Sequence, residues 1–329
     1  MLFKRRDPIA GSIKIAYLGI SDLCPNMCSD CATGAHENGY QMPFPVFETI
    51  LSFNDLRFNK NEVCITYGEP LYYYNNGKDV SDITSVLLAK GIERISIFTS
   101  GLWPGHEIPL NALESLAKHK EKLLIRLSIN LFQGEEKAYW EKMVYTSEIL
   151  FQLKIPIGQV HTTYSVENRL ETQIFSSQFL DFLKKKVEQK KDGSTPTWEL
   201  TEGQIWRLER GVNVTKYDIK EDSAWDFFID CNMYETGSQG RNLTIRSNGD
   251  LTPCIKPPGA HVVPVANVVE HTWDGVLFRY KAYLDQFNNH MEKKPEGVHR
   301  CVWHMNHFKF QPPPMKSRHL RRNPMMLKA

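Results

Sequence analysis

Net charge is almost absent from this chain: 40 Lys and Arg stand against 38 Asp and Glu, leaving +2 with histidine neutral. Such a surface has no strong field to attract nucleic acid or an anionic membrane. Long hydrophobic runs are missing as well. The apolar stretch Ile13–Ile20 is interrupted by Lys14 and is too short for a spanning helix or a signal segment. The chain is therefore read as cytoplasmic, with neither nucleic acid nor membrane as a partner. No internal repeat is present, which sets repeat architectures aside, and the only low-complexity tract is Pro312-Pro313-Pro314, which stiffens the approach to the C-terminal tail. Basic residues gather at the ends, in Lys4-Arg5-Arg6 and in Lys316, Arg318, Arg321 and Arg322. They read as solvated, mobile tails or as contacts for an acidic substrate.

Cysteine is sparse, with seven residues in 329, yet it is grouped. In a cytosolic chain, grouped thiols point to metal ligation or reactivity more than to disulfides. The length and a hydrophobic content of 41% allow a large core, enough for one large domain with a smaller appendage.

Over the first two-thirds, short apolar runs alternate with helical patterns, which predicts a parallel sheet with crossover helices. The expected strands are Ile13–Ile20, Glu62–Tyr67, Arg94–Thr99, Leu123–Asn130, Ile157–Tyr164 and Gln204–Leu208. The expected helices lie near Val46–Phe58, Asp82–Lys90, Leu110–Lys118, Glu135–Phe151 and Ser176–Lys190. Ser81 is the expected N-cap of the second helix, and Gly91 its stop signal. Six strands with five connecting helices suggest a six-stranded partial barrel.

Cys24, Cys28 and Cys31 form a C-x3-C-x2-C loop just after the first strand. Three thiolates on one tight loop converge on a single face of a cluster and leave one iron without a protein ligand. A closed zinc site would need a fourth ligand that the loop does not supply. Further on, Thr66-Tyr67-Gly68-Glu69-Pro70 ends the second strand. Together the two motifs resemble the radical S-adenosylmethionine (radical SAM) enzymes, in which the cysteine loop holds a [4Fe–4S] cluster and a Gly-Glu-Pro segment receives the methionine amino group of the cofactor. The family usually has two glycines before Glu-Pro. Here Tyr67 stands in place of the first, which puts bulk near the methionine end of the cofactor.

The resemblance implies an α/β fold, a partial (β/α)6 radical SAM barrel over residues 13–210. It also implies that polar residues after strands three and four contact the carboxylate and ribose of S-adenosylmethionine. Ser100, Ser128 and Asn130 are the candidates, and each is equally readable as a turn former. Chemistry at the C-terminal ends of the strands is what a parallel barrel requires, and the motifs obey that rule. Cys64, inside the second strand, reads as a buried small apolar residue or as a thiol that donates a hydrogen atom.

A second cysteine group begins at Cys231. Asn248-Gly249 signals a hairpin, Gly249 opens a G-x4-C pattern ending at Cys254, and a helical stretch His271–Phe287 precedes Cys301-Val302-Trp303-His304. The layout resembles the "twitch" extension of certain radical SAM enzymes, a shortened SPASM extension that carries an auxiliary iron–sulfur cluster. It would occupy residues 225–305, a small α+β unit, followed by a basic Pro-rich tail over 306–329. The cysteine pairs of a second auxiliary cluster are missing, which excludes a full SPASM domain. His304 stands where a cysteine is usual. Either Cys231, Cys254, Cys301 and His304 share one cluster, or His304 points elsewhere and one iron stays open.

The activity implied is reductive cleavage of S-adenosylmethionine to a 5′-deoxyadenosyl radical, which takes hydrogen from a substrate C–H bond. It needs an external one-electron reductant of the flavodoxin or ferredoxin type. Electron acceptance by an auxiliary cluster would give dehydrogenation, cross-linking or cleavage; hydrogen return from a thiol would give epimerisation. The expected substrate is a ribosomal peptide in natural-product biosynthesis, as in a RiPP maturase. The alternative is a small molecule, an aminocyclitol or sugar, undergoing dehydrogenation or epimerisation. Few residues precede the first strand, so a peptide would be presented by a separate leader-recognition protein.

Overall fold

A computed structural model describes residues 14–26, 34–103, 105–130, 136–165, 178–179, 181–183, 214–217, 242–253, 264–293, 295 and 308–321. The chain enters through β1 (Lys14–Gly19), crosses over α1 (Phe44–Ser52) and returns in β2 (Val63–Thr66). A small hairpin, β3 (Tyr74–Asn75) and β4 (Lys78–Asp79), leads into α2 (Val80–Ala89). β5 (Ile95–Thr99), α3 (Glu107–Leu116), β6 (Leu123–Asn130), α4 (Glu136–Leu153), β7 (Ile157–Ser165) and β8 (Val214–Tyr217) follow. β1, β2, β5, β6, β7 and β8 lie side by side in chain order, every neighbouring pair parallel. The expected strand Gln204–Leu208 lies outside the described residues, and the sixth parallel position is held by Val214–Tyr217. Residues 178–179 and 181–183 of the expected fifth helix are helical, and Phe179 and Phe182 pack their rings against Trp140 of α4.

Alternation explains why these segments are strands. Ile15, Ile65, Ile95, Ile97 and Ile125 are fully buried in one core with Val46, Phe47 and Ile50 of α1 and Leu87 of α2. The opposite face carries Tyr17, Cys64, Ser96 and Leu124, which pair in register across four strands.

The sheet does not end at β1. On its far side β9 (Asn242–Ile245) pairs parallel to β1, and β10 (Asp250–Thr252) and β11 (Ala266–Asn267) add antiparallel strands. Among the described residues these strands make a nine-stranded sheet that runs from β11 to β8. The Asn248-Gly249 hairpin is present, with Gly249 at φ +84°. The helix expected at His271–Phe287 is α5 (Trp273–Met291), capped by Thr272, whose Oγ1 accepts from Gly275 N at 3.2 Å. Among the described residues no helix is long and apolar enough to cross a membrane.

Two expectations need correction. Ser81 does not cap the second helix. Asp79 does: its carboxylate accepts from Ser81 N and Asp82 N while Asp82 reaches back to Asp79 N, a reciprocal pair that Ser81 cannot form. The turn Asn76-Gly77, with φ +52° and +73°, delivers Asp79 to that position. Gly91 at φ +83° ends the helix as expected.

The tail over 308–321 is packed on the rest of the protein, with Lys316 and Arg318 exposed as expected and Arg321 held against it. Residues 308–321 return along α5, because their aromatic side chains have a matching stripe to cover. Phe308 and Phe310 meet Tyr283 edge-on at 5.4 and 5.3 Å, and buried His319 lies against Phe278 at 4.7 Å. Arg321 pairs with Asp55 at 3.0 Å and lies over the Phe53 ring. Lys4, Arg5, Arg6 and Arg322 lie outside the described residues.

Candidate active site

The cysteine loop leaves β1 through a stapled segment. Asp22 N donates to Tyr40 O (2.7 Å), Cys24 N to His36 O (2.9 Å) and His36 N to Asp22 O (3.1 Å). Residues 36–42 thus hold 22–24 from one side, and Gly39 permits the close approach: a Cβ there would sit 2.0 Å from Asp22 O. Cys24 is buried at the start of the loop. Cys28 and Cys31 lie outside the described residues, as do Cys231, Cys254, Cys301 and His304. Among the described residues no cluster of three metal-ligating side chains occurs. The donor set of the motif, three soft thiolates within eight residues of sequence, is chemically suited to an iron–sulfur cluster.

The Gly-Glu-Pro segment hangs on the same stapled segment. Gly68 has φ +54°, and a Cβ would meet Leu23 O at 2.4 Å and Ser21 O at 2.8 Å, so glycine is required twice over. Glu69 N then donates to Leu23 O at 2.8 Å, one residue before Cys24. Pro70 opens a short 3-10 turn, Pro70–Tyr72. The Glu69 side chain is almost wholly buried. Its Oε2 accepts from Ser100 N (2.8 Å) and Ser100 Oγ (2.7 Å), and its Oε1 from Leu71 N (3.4 Å). Burial pushes its carboxyl up, and the Ser100, Thr99 and Leu71 hydrogen bonds oppose that without reversing it.

Ser100 is fixed from behind. Thr99 Oγ1 accepts from Gly101 N and from the indole of fully buried Trp103, and Thr146 of α4 donates to Gly101 O at 2.6 Å. Asn26, in the cysteine loop, donates from Nδ2 to Ser100 Oγ at 2.7 Å. Ser128 and Asn130 lie two residues apart at the C-terminal end of β6, paired with His161 and Thr163 of β7. The Ser128 carbonyl accepts from Tyr139 OH of α4 at 3.2 Å.

Tyr67 is also buried, in a left-handed conformation (φ +71°). Its ring lies on Gly19, where a Cβ would come within 2.8 Å of it, and the Arg246 guanidinium stands over it at 5.0 Å. The bulk that replaces the first glycine is thus received by a gap in β1 and covered from β9. Next to it Ser247 Oγ donates to Asp22 Oδ2 at 2.5 Å, so the β9–β10 hairpin is tied to the base of the cysteine loop. Burial, with the charges of Glu69 and Cys24, pushes the Tyr72 phenol up.

Cys64 lies deeper along β2, in register with Ser96, on the face that also holds Glu62 and Arg126. Burial pushes its thiol up to about 12, so it stays an S–H group at neutral pH. Beside it Glu62 gathers Ser96 Oγ, Arg126 Nη2 (2.5 Å) and Arg94 Nη2 (2.7 Å). Burial pushes the Glu62 carboxyl up, but Arg126 and the three hydrogen-bond donors outweigh it, and the net direction is down. Its contribution to stability is therefore present above the ordinary carboxylate range and is lost as pH falls through it. Glu62→Gln should cost about 1–2 kcal/mol at pH 7, since the pairs are only partly buried. Thermal unfolding of the cluster-free protein checks this: from pH 7 to pH 3.5 the wild type should lose more stability than the variant.

Sequence reasoning singled out Cys24, Gly68, Glu69 and Ser100, and the fold joins them. It missed Asp22, Asn26, Arg246 and Ser247. For Asn26 a signal existed, its place between two cysteines; for Arg246 none did, because the pairing of β9 with β1 is not visible in the chain.

No curated protein matches the sequence. Among solved structures, a histidine-tagged form of anSMEcpe with bound AdoMet is 14% identical, with a TM-score of 0.45, covering 80% of this chain and 80% of that one. Native anSMEcpe with bound AdoMet and Kp18Cys peptide is 13% identical, with a TM-score of 0.44, covering 80% and 79%. The family model described as the radical SAM superfamily matches residues 18–165, from the end of β1 to the end of β7. That span contains the cysteine loop, the Gly-Glu-Pro segment and Ser100, and residues 18–165 form a radical SAM domain.

Proposed function

We propose that Cys24, Cys28 and Cys31 hold a [4Fe–4S] cluster with S-adenosylmethionine at its open iron, and that the substrate is a ribosomal peptide. The observation that carries the cofactor reading is the double join between the cysteine loop and Glu69. One join is the Glu69 N–Leu23 O bond, and the other is the Asn26–Ser100–Glu69 chain. When bound, the pair supplies one-electron reductive cleavage of the cofactor to methionine and a 5′-deoxyadenosyl radical, which takes a hydrogen atom from the substrate.

The protein's own part is to place and shield. Glu69 offers a buried carboxylate to the methionine ammonium, Gly68 lets the backbone approach, and Tyr67 under Arg246 closes the side toward β9. Ser128 and Asn130, at the end of β6, are the candidates for the ribose and carboxylate. Cys231, Cys254, Cys301 and His304 are proposed to hold an auxiliary cluster, which supports an oxidative outcome and, by association with that extension, a peptide substrate. A flavodoxin or ferredoxin type protein supplies the electron, and a separate leader-recognition protein presents the peptide.

The test is anaerobic reconstitution followed by dithionite and S-adenosylmethionine. 5′-Deoxyadenosine should appear, and deuterium should enter it from a labelled peptide encoded near the gene. Absence of 5′-deoxyadenosine from iron-loaded protein would sink the cofactor reading. Deuterium arriving from a cyclitol or sugar instead would replace the peptide.

A further inference from the structure

A serine hydroxyl has one proton to give and two lone pairs to receive with. Ser100 uses all three. It donates to Glu69 Oε2 at 2.7 Å and accepts from Asn26 Nδ2 at 2.7 Å and from Leu102 N at 3.3 Å. An amide N–H can only donate, so Asn26 fixes the direction of the Ser100 proton: it must point at Glu69. On the carboxylate, Oε2 takes two short bonds from Ser100 and Oε1 one long bond from Leu71 N, and Thr99 adds a side-chain bond to the same group.

We propose that Asn26 is a positioning residue that acts through Ser100 to orient the Glu69 carboxylate toward the methionine ammonium of S-adenosylmethionine. The proposal rests on the cofactor reading given above. Asn26 lies between Cys24 and Cys28 in sequence, so the residue that orients the carboxylate belongs to the same motif as the proposed cluster ligands. Ser100 serves the cofactor at second hand, because its hydroxyl has no capacity left for a direct bond.

The experiment is calorimetric titration of S-adenosylmethionine into anaerobically reconstituted wild type, Asn26→Ala, Asn26→Asp, Ser100→Ala and the Asn26→Ala/Ser100→Ala double variant. Iron content is measured on each, and Kd is expressed per loaded cluster. Asn26→Ala should weaken binding about tenfold, the loss of one oriented hydrogen bond to a charged group. Asn26→Asp should be weaker still although it has the same shape, because a carboxylate there accepts the Ser100 proton and takes it from Glu69. The double variant should bind no worse than Ser100→Ala alone, since Asn26 has no route to Glu69 except through that hydroxyl. Binding by Asn26→Asp at wild-type strength would overturn the relay, and so would additive losses in the double variant. Loss of iron from Asn26→Ala but not from Ser100→Ala would also overturn it, by placing Asn26 in the holding of the loop alone. A wild type that loads iron and binds no S-adenosylmethionine would instead sink the parent reading.

Discussion

Gly68→Ala is expected to cost about 2–4 kcal/mol of folding stability and to weaken S-adenosylmethionine binding at least about tenfold. Two separate penalties fall on this position. The first is the left-handed backbone at φ +54°, which a side chain strains wherever it occurs. The second is contact: the new methyl would sit 2.4 Å from the Leu23 carbonyl, and that oxygen cannot retreat without giving up its bond to Glu69 N. Gly77 separates the two. It has φ +73° with nothing within 4 Å of an added Cβ, so Gly77→Ala should show the strain alone, about 1 kcal/mol, and leave binding untouched. Denaturant unfolding of both variants, with calorimetry for the cofactor, makes the comparison. Equal losses for the two would refute the argument from contact.

Cys24→Ser should reduce 5′-deoxyadenosine formation about 10³-fold or more, because an iron site that has lost one of three soft ligands is not retained. The cause must be ligation and not folding. Cys24 N–H remains bonded to His36 O whatever its side chain, so the apo variant should unfold close to the wild type. Cys64→Ala is the counterpart, since that thiol sits within β2 beside Ser96 and Arg126 and should keep full iron. Iron and sulfide analysis with Mössbauer spectra distinguishes these outcomes. The Cys24/Cys28/Cys31→Ala triple variant extends the test: iron that survives there reports on Cys231, Cys254, Cys301 and His304, and complete loss would remove the proposed auxiliary cluster and favour a redox-neutral reaction.

What the chain made legible was local. Five of the six expected parallel strands are found within two residues of their expected bounds, because each alternates apolar residues over a short run. The motifs at their C-terminal ends came with them. The hairpin at Asn248-Gly249 was legible for the same reason, since the turn demands those residues. What escaped was set by partners far away in sequence. Nothing near Tyr67 announces that Gly19 makes room for its ring or that Arg246 covers it. Basic residues at 316–321 have the composition of a solvated tail, and Lys316 and Arg318 are exposed, but Asp55 and Phe53 turn Arg321 inward while the stripe on α5 takes Phe308 and Phe310. Ser81 is a good cap in isolation and loses to Asp79 once the preceding hairpin fixes the approach.

The pairing of β9 with β1 also bears on how the protein is made. β1 is synthesised well before β9, yet among the described residues its outer hydrogen-bonding edge is filled by Asn242–Ile245, more than two hundred residues later. At ribosomal rates of about 5–20 residues per second, that edge stands open for ten seconds or longer. During this interval the nascent chain offers an unpaired parallel edge to other chains, a known route to aggregation. Contacts of such long range also make the final closure slow. Shortening the chain before residue 242 would make the open edge permanent, so residues 13–210 are expected to be poorly soluble by themselves. Sedimentation of that fragment beside the full chain would reveal it, and a monodisperse fragment would show that β1 is guarded by something other than β9.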